Sequence, residues 1–572
     1  SQVFLEVGEQ MSVNDMLKAI AVASGNDAAV AMAEHLAGSE QSFVKRMNKK
    51  VLFVGLLAGC FGMNAFAATE IYVSASTGND SYNGASWETA YKTLQYAVAS
   101  VKENEETIIY LEANTTFDTG GQLDFGENKN VTIIGENTTL RAALQAGKDG
   151  GEGARIMRAA TGCNLTVKGL TFLNGRQVTY QPAGGLYFAG NTLVVDSCQF
   201  IDNESGSGGS GICARAKDVT VRNSYFDGNY VYSNYGTGAA LIQAGVNNGD
   251  AGSLLVENCT FYRNDVPGAG TAISTSDAAV GYSNVESVKV VNCTFVGNTS
   301  EAVYTPDIES SVSNQGAIDV TESADATIYV INNTFYDNDG ALRIGDIYKG
   351  ELVMLNLIFA NGAGIFGDPS YTVANLRTPI EGYNNIIVGA EQGVNDAIDD
   401  ECFNSGKAQY NNTVETLATY PLSNVALSTV LSTDNFVPYL ALTAENSSAV
   451  NAGYATGEYV DLVPTTDIRG LAVVGTRDIG AYEYGATDPS AISSVAADES
   501  DFVIVANGDQ ISVMNTADRN FTLTVVDMLG RAVYAGNGAG MMTVNKQDID
   551  AHCVIFVLTD GVSKKVQKMM LH

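Results

Sequence analysis

A phenylalanine recurs along the middle of the chain with the same pattern of apolar and polar residues ahead of it. Aligned on it, Leu165–Phe172, Leu193–Phe200, Val219–Phe226, Leu254–Phe261, Val288–Phe295, Ile328–Phe335 and Leu352–Phe359 are spaced by 28, 26, 35, 34, 40 and 24 residues. Seven and five positions before each Phe the residue is apolar in every copy, as in Val219 and Val221 or Ile328 and Val330. That period of two predicts a strand with one face buried. The alternation then breaks. Three positions before Phe stand Asn223, Asn258, Asn292, Asn332 and Asn356, and the inward set, mostly small or apolar, resumes one residue later with Leu170, Cys198, Ser224, Cys259, Cys293, Asn333 and Leu357. A phase slip at asparagine marks a bend, because Asn tolerates left-handed backbone and bonds to its own kind. Another strand reads in Gly185–Phe188, Gly211–Ile212, Gly316–Val320 and Gly340–Ile344. Short strands, one asparagine corner and identical columns from repeat to repeat predict a parallel β-helix. Propeller blades need hairpin turns at fixed offsets, which these repeats lack.

A second column fixes the register. Lys168, Asp196, Arg222 and Glu257, four before Phe, point outward in successive repeats with alternating sign. Parallel neighbours lie ~4.8 Å apart, so opposite charges face each other. Exposed pairs of this kind are worth about 0.2–1 kcal/mol, and they serve register rather than catalysis.

A solenoid must close its ends. Glu70–Asp80 leads to Trp87 and then to a helix expected over Thr89–Lys102, with Leu94, Ala97, Val98 and Val101 on one face. The series Tyr72-Val73-Ser74…Gly78-Asn79-Asp80…Gly84…Trp87…Ala90…Leu94-Gln95 resembles the start of secreted bacterial pectate-lyase-like β-helix proteins. Asp467-Ile468-Arg469-Gly470…Arg477-Asp478-Ile479-Gly480-Ala481-Tyr482-Glu483-Tyr484 resembles the ending of many such surface proteins. The resemblance implies an all-β chain with a right-handed parallel β-helix and an N-terminal capping helix over residues 68–485. A Ser/Ala-rich linker follows at 486–500. Short alternating strands (Phe502–Val505, Phe521–Val526, Val554–Leu558), turns at Asp527–Arg531 and Thr559–Gly561, and the basic run Lys564–Lys568 then fill 501–572. This last part resembles the small C-terminal β-sandwich that Bacteroidetes use for type IX secretion. It implies the type IX secretion machinery as a partner and delivery to the outer-membrane surface or the medium.

Met47–Lys50, the apolar run Val51–Gly62 and Ala65-Phe66-Ala67 read as a signal peptide over 47–67, with Ala68 as the mature start. The run is shorter than the ~20 residues of a membrane span, and no transmembrane helix is expected after its removal. Leu57-Ala58-Gly59-Cys60 also has the form of a lipoprotein cleavage box. Residues 1–46 carry Ser12–Leu17, Ser24-Gly25-Asn26-Asp27 and the Ala-rich stretch Ala28–Ala37, and they resemble a piece of the D-alanyl-D-alanine carboxypeptidases, with Ser24-Gly25-Asn26 at the S-x-N motif. No S-x-x-K precedes that motif and no K-T-G exists, while Ser42–Lys45 lies on the wrong side of it. This short helical segment is therefore expected to be foreign to the rest and unable to catalyse alone.

Charge narrows the chemistry. Against 31 Lys and Arg the 572 residues carry 64 Asp and Glu, a formal charge of −33. Nucleic acid and anionic membranes are repelled by such a surface, whereas calcium is accommodated by carboxylate and carbonyl oxygens. With only His35, His552 and His572, histidine catalysis and a zinc site are not expected in the body of the chain. Cysteines without a C-x-x-C, Cys259 and Cys293 in one inward column, predict buried thiols. The G-x-G-x-x-G at Gly206–Gly211 has no helix after it and is not a nucleotide loop.

β-helix enzymes acting on acidic polysaccharides place a base, with calcium or further basic groups to neutralise the uronate, on the outer face of one sheet. The aligned third strand offers Tyr187, Ser274, Asp319 and Arg343 in one outward column, with Arg215 one step along. Arg343, Asp319 and Arg215 are the catalytic candidates, a simple ion pair between coils being the alternative. Inserts at Gly228–Asn248, Asp265–Glu286 and Thr299–Asp325 are expected to wall a groove, with Tyr225, Tyr230, Tyr232 and Tyr235 clustered at one of them. Since tyrosine faces suit sugar rings, Tyr187, Tyr230, Tyr232 and Tyr235 are the carbohydrate-binding candidates. Two functions stay open: an extracellular or cell-surface protein that binds glycans or mediates adhesion, and a polysaccharide lyase or glycoside hydrolase acting on acidic polysaccharide.

Overall fold

The computed structural model describes residues 68–142, 153–177, 181–232, 238–243, 252–266, 271–275, 285–299, 316–320, 326–344, 351–361, 365–367, 380–388, 411–415, 417–486, 502–507, 510–515, 519–527, 532–546, 549, 553–560 and 564–570. The expected signal peptide, the carboxypeptidase-like segment, Cys60, Tyr235, Cys402, linker residues 487–500 and the greater part of the long inserts lie outside them.

Parallel strands coil from Thr69–Val73 to Thr413–Glu415 in the register that the Phe alignment predicts. Leu193 pairs with Leu165 on one side and Val219 on the other, and Phe226 pairs with Phe200 and Phe261. Successive turns of the coil build two long sheets, and three of the turns add a strand to a short third one. The long sheet is bent at the asparagine corner, where Asn223, Asn258, Asn292, Asn332 and Asn356 take φ of 51° to 57°. Ser197 and Gly169 occupy the same left-handed corner one and two coils earlier. A nine-stranded second sheet includes Leu186–Phe188, Ile212–Ala214, Ile318–Val320 and Leu342–Ile344. A short third sheet joins Arg176–Gln177, Glu204–Ser205 and Tyr230–Val231.

Alternation along each strand buries the apolar set in the cylinder. Seven phenylalanines, from Phe172 to Phe359, stack face to face along its middle with centroids 4.6–4.9 Å apart. Such pairs add about 0.5–1.5 kcal/mol each beyond the area they bury.

The second bend of each coil carries a feature that the sequence reading missed. Two residues after Phe the backbone is again left-handed, at Asn174, Asp202, Gly228, Arg263, Gly297 and Asp337. One residue further, Asn203, Asn229, Asn264, Asn298 and Asn338 form a buried ladder. The Asn264 amide donates to the Phe226 carbonyl (3.2 Å) and to Asn298 Oδ1 (2.9 Å), and its own oxygen accepts from the Asn229 backbone N–H (3.2 Å) and Asn229 Nδ2 (2.9 Å). Every polar atom of that side chain is satisfied inside an otherwise apolar solenoid, the condition under which burying it is tolerable.

The opening end is closed by a helix shorter than expected, Leu94–Ser100, which buries Leu94, Ala97 and Val98 against the first rungs. Asp80 sets where it starts. Its carboxylate accepts from the backbone N–H groups of Lys92 and Thr93 (2.9 Å each) and from the Thr93 hydroxyl, pinning the chain just ahead of the helix.

The segment from 437 to 484 does more than end the solenoid. It turns back along the outer face of the long sheet and bonds to the asparagine corner. Asn292 donates to the Thr466 carbonyl (2.8 Å), Asn332 to the Asp478 carbonyl (2.9 Å), and Asn356 Oδ1 accepts from the Tyr454 N–H (2.6 Å). The outward column of Lys168, Asp196, Arg222 and Glu257 continues in register through Val291, Ile331 and Leu355. It turns apolar where Tyr454 and Tyr459 of this strap cover it. In the uncovered part, Arg222 and Asp196 pair at 3.0 Å as their signs predict. The strap is held by buried ion pairs, Arg477–Glu483 and Arg469–Asp467, both at 2.6 Å, and the Arg469 guanidinium lies 4.0 Å from the Tyr482 ring centroid.

The C-terminal part forms seven antiparallel strands in the order Phe502–Asn507, Gln510–Asn515, Met541–Asn545, Ala532–Ala539, Asn520–Asp527, Cys553–Thr559, Lys564–Met570. Phe502 and Phe521 sit on the first and fifth strands of that order, yet their rings meet at 5.4 Å. The sheet therefore folds across itself around Ile511, Val513, Leu523, Val525, Phe556 and Leu558, as a sandwich does.

Candidate functional site

The outer face of the second sheet presents one residue per coil. Register runs Asp124, Arg158, Tyr187, Cys213, Ile242, Ser274, Asp319, Arg343. Tyr187, Ser274, Asp319 and Arg343 thus share the predicted column, and Asp319 and Arg343 stand in adjacent coils. Exposure corrects the expectation of an open face. Cys213, Ile242, Ser274 and Asp319 are 0–1% exposed, so the Asp319 carboxyl is not presented to a polymer in solvent. Of Arg343 the backbone pairing alone is described.

The accessible chemistry gathers at the first rungs. Arg158 binds both oxygens of Asp124, at 2.8 and 3.1 Å, and the pair is about two-fifths exposed (37% and 41%). One rung along, the Tyr187 ring has the Arg155 guanidinium 4.9 Å and the Arg215 guanidinium 5.7 Å from its centroid. Arg155 is buried, and burial pulls its pKa below the ordinary guanidinium value. Three hydrogen bonds offset that cost: Nε to the Ala183 carbonyl (2.9 Å), one terminal nitrogen to Gln122 Oε1 (3.0 Å) and the other to the Pro182 carbonyl (2.7 Å). Arg155 thereby fixes the loop that delivers Tyr187. Among the described residues, Arg155, Arg158 and Arg215 thus gather around Tyr187 and Asp124.

The tyrosine candidates separate. Tyr187 belongs to the second sheet, whereas Tyr230 lies on the short third sheet between Glu204 and Asp265, and the Tyr232 hydroxyl donates to the Gln177 carbonyl (3.5 Å). Tyr225, expected beside the insert, is on the long sheet and donates to Asp227 (3.0 Å). Sequence reasoning missed Arg155, which precedes its strand and shows no repeat position, and Arg158, whose place in the column needed the rung ahead of Phe172. Cys163, Cys198, Cys213, Cys259 and Cys293 are buried and in no disulfide, and burial pushes the Cys198 thiol up to about 12. Among the described residues no three His, Cys, Asp or Glu side chains gather as a metal site, and no helix is long and apolar enough to cross a membrane.

Residues 158–395 match the family model of the right-handed β-helix region, which fixes the hand of the solenoid. Residues 1–118 match the model of the D-alanyl-D-alanine carboxypeptidases. That range runs past the expected 46-residue fragment into Thr69–Asp118, which fold as opening elements of the solenoid. Over 56 residues the chain is 66% identical to D-alanyl-D-alanine carboxypeptidase DacF of Bacillus subtilis (strain 168) and 48% identical to DacA of Haemophilus influenzae. Each match covers 10% of this chain, and the chain spans 14% of the length of these curated relatives. Two solved structures of a GH136 lacto-N-biosidase from Eubacterium ramulus are similar to it, with TM-scores of 0.27 and 0.25 and identities of 11% and 10%. They cover 70% of this chain and 73% and 74% of their own.

Proposed function

We propose that this chain is a secreted or cell-surface β-helix protein that binds acidic glycans through the Tyr187 rung, in adhesion or capture. The observation that carries this reading is the partly exposed Tyr187 rung, where the Arg215 guanidinium lies 5.7 Å from the ring centroid beside the Arg158–Asp124 pair, Arg155 holding the loop from below. A guanidinium grips a carboxylate or sulfate through two parallel N–H bonds, and a tyrosine face takes the apolar side of a pyranose. Export through the leader at 47–67 and sorting by the domain at 501–572, with the type IX machinery as partner, complete the proposal.

Affinity electrophoresis tests it. Mobility should fall in gels cast with polygalacturonate, alginate or chondroitin sulfate, and Arg215→Ala should restore it. EDTA should change nothing if arginines rather than calcium neutralise the polymer. Equal mobility in acidic and plain gels overturns the reading. Release of products absorbing at 235 nm, or of reducing ends, from these polymers would mean a lyase or hydrolase instead. Deleting residues 501–572 should leave the protein in the periplasm of a type IX-competent host.

A further inference from the structure

The chain has a single tryptophan, and it is not used to close the solenoid. Trp87 opens a one-turn 3-10 helix with no buried residue and is itself 46% exposed. Its ring meets Tyr72 edge-on at 5.1 Å and 66°, and Tyr72 stacks on Tyr110 at 5.2 Å and 21°. The two phenols converge on one carboxylate, with Tyr72 donating to Glu70 Oε2 at 2.8 Å and Tyr110 to Glu70 Oε1 at 3.4 Å.

We propose that Trp87, Tyr72 and Tyr110, held by Glu70, are a binding site for neutral pyranose rings, separate from the Tyr187 rung. Leaving half of a tryptophan in water forgoes burial that such a ring ordinarily secures, which marks surface that gains by acquiring a partner. The rings are already fixed in place by strand register and by the shared carboxylate, so little ordering cost remains at binding. Tyr110 stands on the outward column of the long sheet, followed by Ile134 and then Lys168, which gives an extended chain a straight path along the rungs. Charge selects the class of ligand. Among the described residues the carboxylate touching these rings is that of Glu70, which accepts sugar hydroxyls and repels uronates and sulfates. At Tyr187 the neighbours are guanidiniums. The two sites therefore take opposite glycan classes.

Because Trp87 is the sole tryptophan, its emission reports the site directly. The full chain is titrated with xylohexaose, cellohexaose, laminarihexaose and mannohexaose, with hexagalacturonate as the acidic comparison. At least one neutral hexaose should give a saturable change in emission, and hexagalacturonate should give none. Calorimetry on Trp87→Ala, a surface change, should find that sugar bound about tenfold or more weakly, with Tyr72→Ala as a second variant. No saturable change with any neutral hexaose at millimolar concentration overturns the proposal. So does unaltered affinity in both variants, or an emission shift that follows protein concentration without sugar, which would mean a second copy covers the rings.

Discussion

Replacing Asn264 by leucine should expose what holds the second bend. The side chain is fully buried, and its amide makes four hydrogen bonds to Phe226, Asn229 and Asn298. Leucine, similar in volume, removes them all. The Asn229 backbone N–H and one Asn229 amide hydrogen then lose their acceptor with no water to replace it, while Asn229 Nδ2 keeps its bond to the Phe200 carbonyl (2.9 Å). A buried donor left alone costs about 1–3 kcal/mol, so two cost about 2–6 kcal/mol. The leucine returns about 1 kcal/mol of apolar burial, for a net loss near 3 kcal/mol. Asn258→Gly is the matched comparison. It sits at the half-buried first corner, keeps the φ of 53° without strain, and gives up ladder bonds of 3.3 and 3.1 Å to Asn223 and Asn292, for a loss within about 1 kcal/mol. Urea unfolding followed by circular dichroism, with m unchanged, measures both. If Asn264→Leu costs under about 1 kcal/mol, or no more than Asn258→Gly, the inner ladder does not stabilise the coil as argued.

Phe261→Ala should cost about 3–5 kcal/mol in the same assay, since it leaves a cavity between Phe226 and Phe295, whose centroids lie 4.8 and 4.9 Å from its own; a loss below 1 kcal/mol would contradict the stacked core. Asn258→Val places a β-branched residue at a φ of 53° and should destabilise by about 1–2 kcal/mol, against near-neutrality if the corner could relax. Asp478 is pushed up to about 6, chiefly by burial, so the folded state holds that proton more tightly than the unfolded chain does at the ordinary value of 3.8. Its stabilisation is full below pH ~4 and lost as pH rises through ~6; the melting-temperature advantage of the parent over Asp478→Asn should shrink across that window, and a constant difference would refute it. Iodoacetamide at pH 8 should leave Cys198, Cys259 and Cys293 unmodified until urea unfolds the solenoid, because burial raises the pKa of Cys198 and Cys259 and encloses all three thiols; rapid labelling of the native protein would show the column to be open.

Sequence alone determined the rungs. Apolar residues seven and five before each Phe, and the slip at Asn223, Asn258 and Asn292, are periodic and local, and parallel pairing converts equal offsets into stacked contacts. The inner ladder was equally legible as Phe-x-x-Asn at Asn203, Asn229, Asn264, Asn298 and Asn338. Its meaning depended on a second left-handed turn at Asp202, Gly228, Arg263, Gly297 and Asp337, where the residue type varies among Asp, Gly and Arg. Tertiary structure decided the rest. The strap meets Asn292 and Asn332 from residues 174 and 146 positions away, and nothing periodic links such partners. Alternation gave Asp319 and Tyr187 the same outward direction, but direction is not exposure: one is buried and the other lies half-open beneath Arg155 and Arg215. Which columns pack inside follows from period two. Which outward positions reach solvent depends on segments that share no period with the coil.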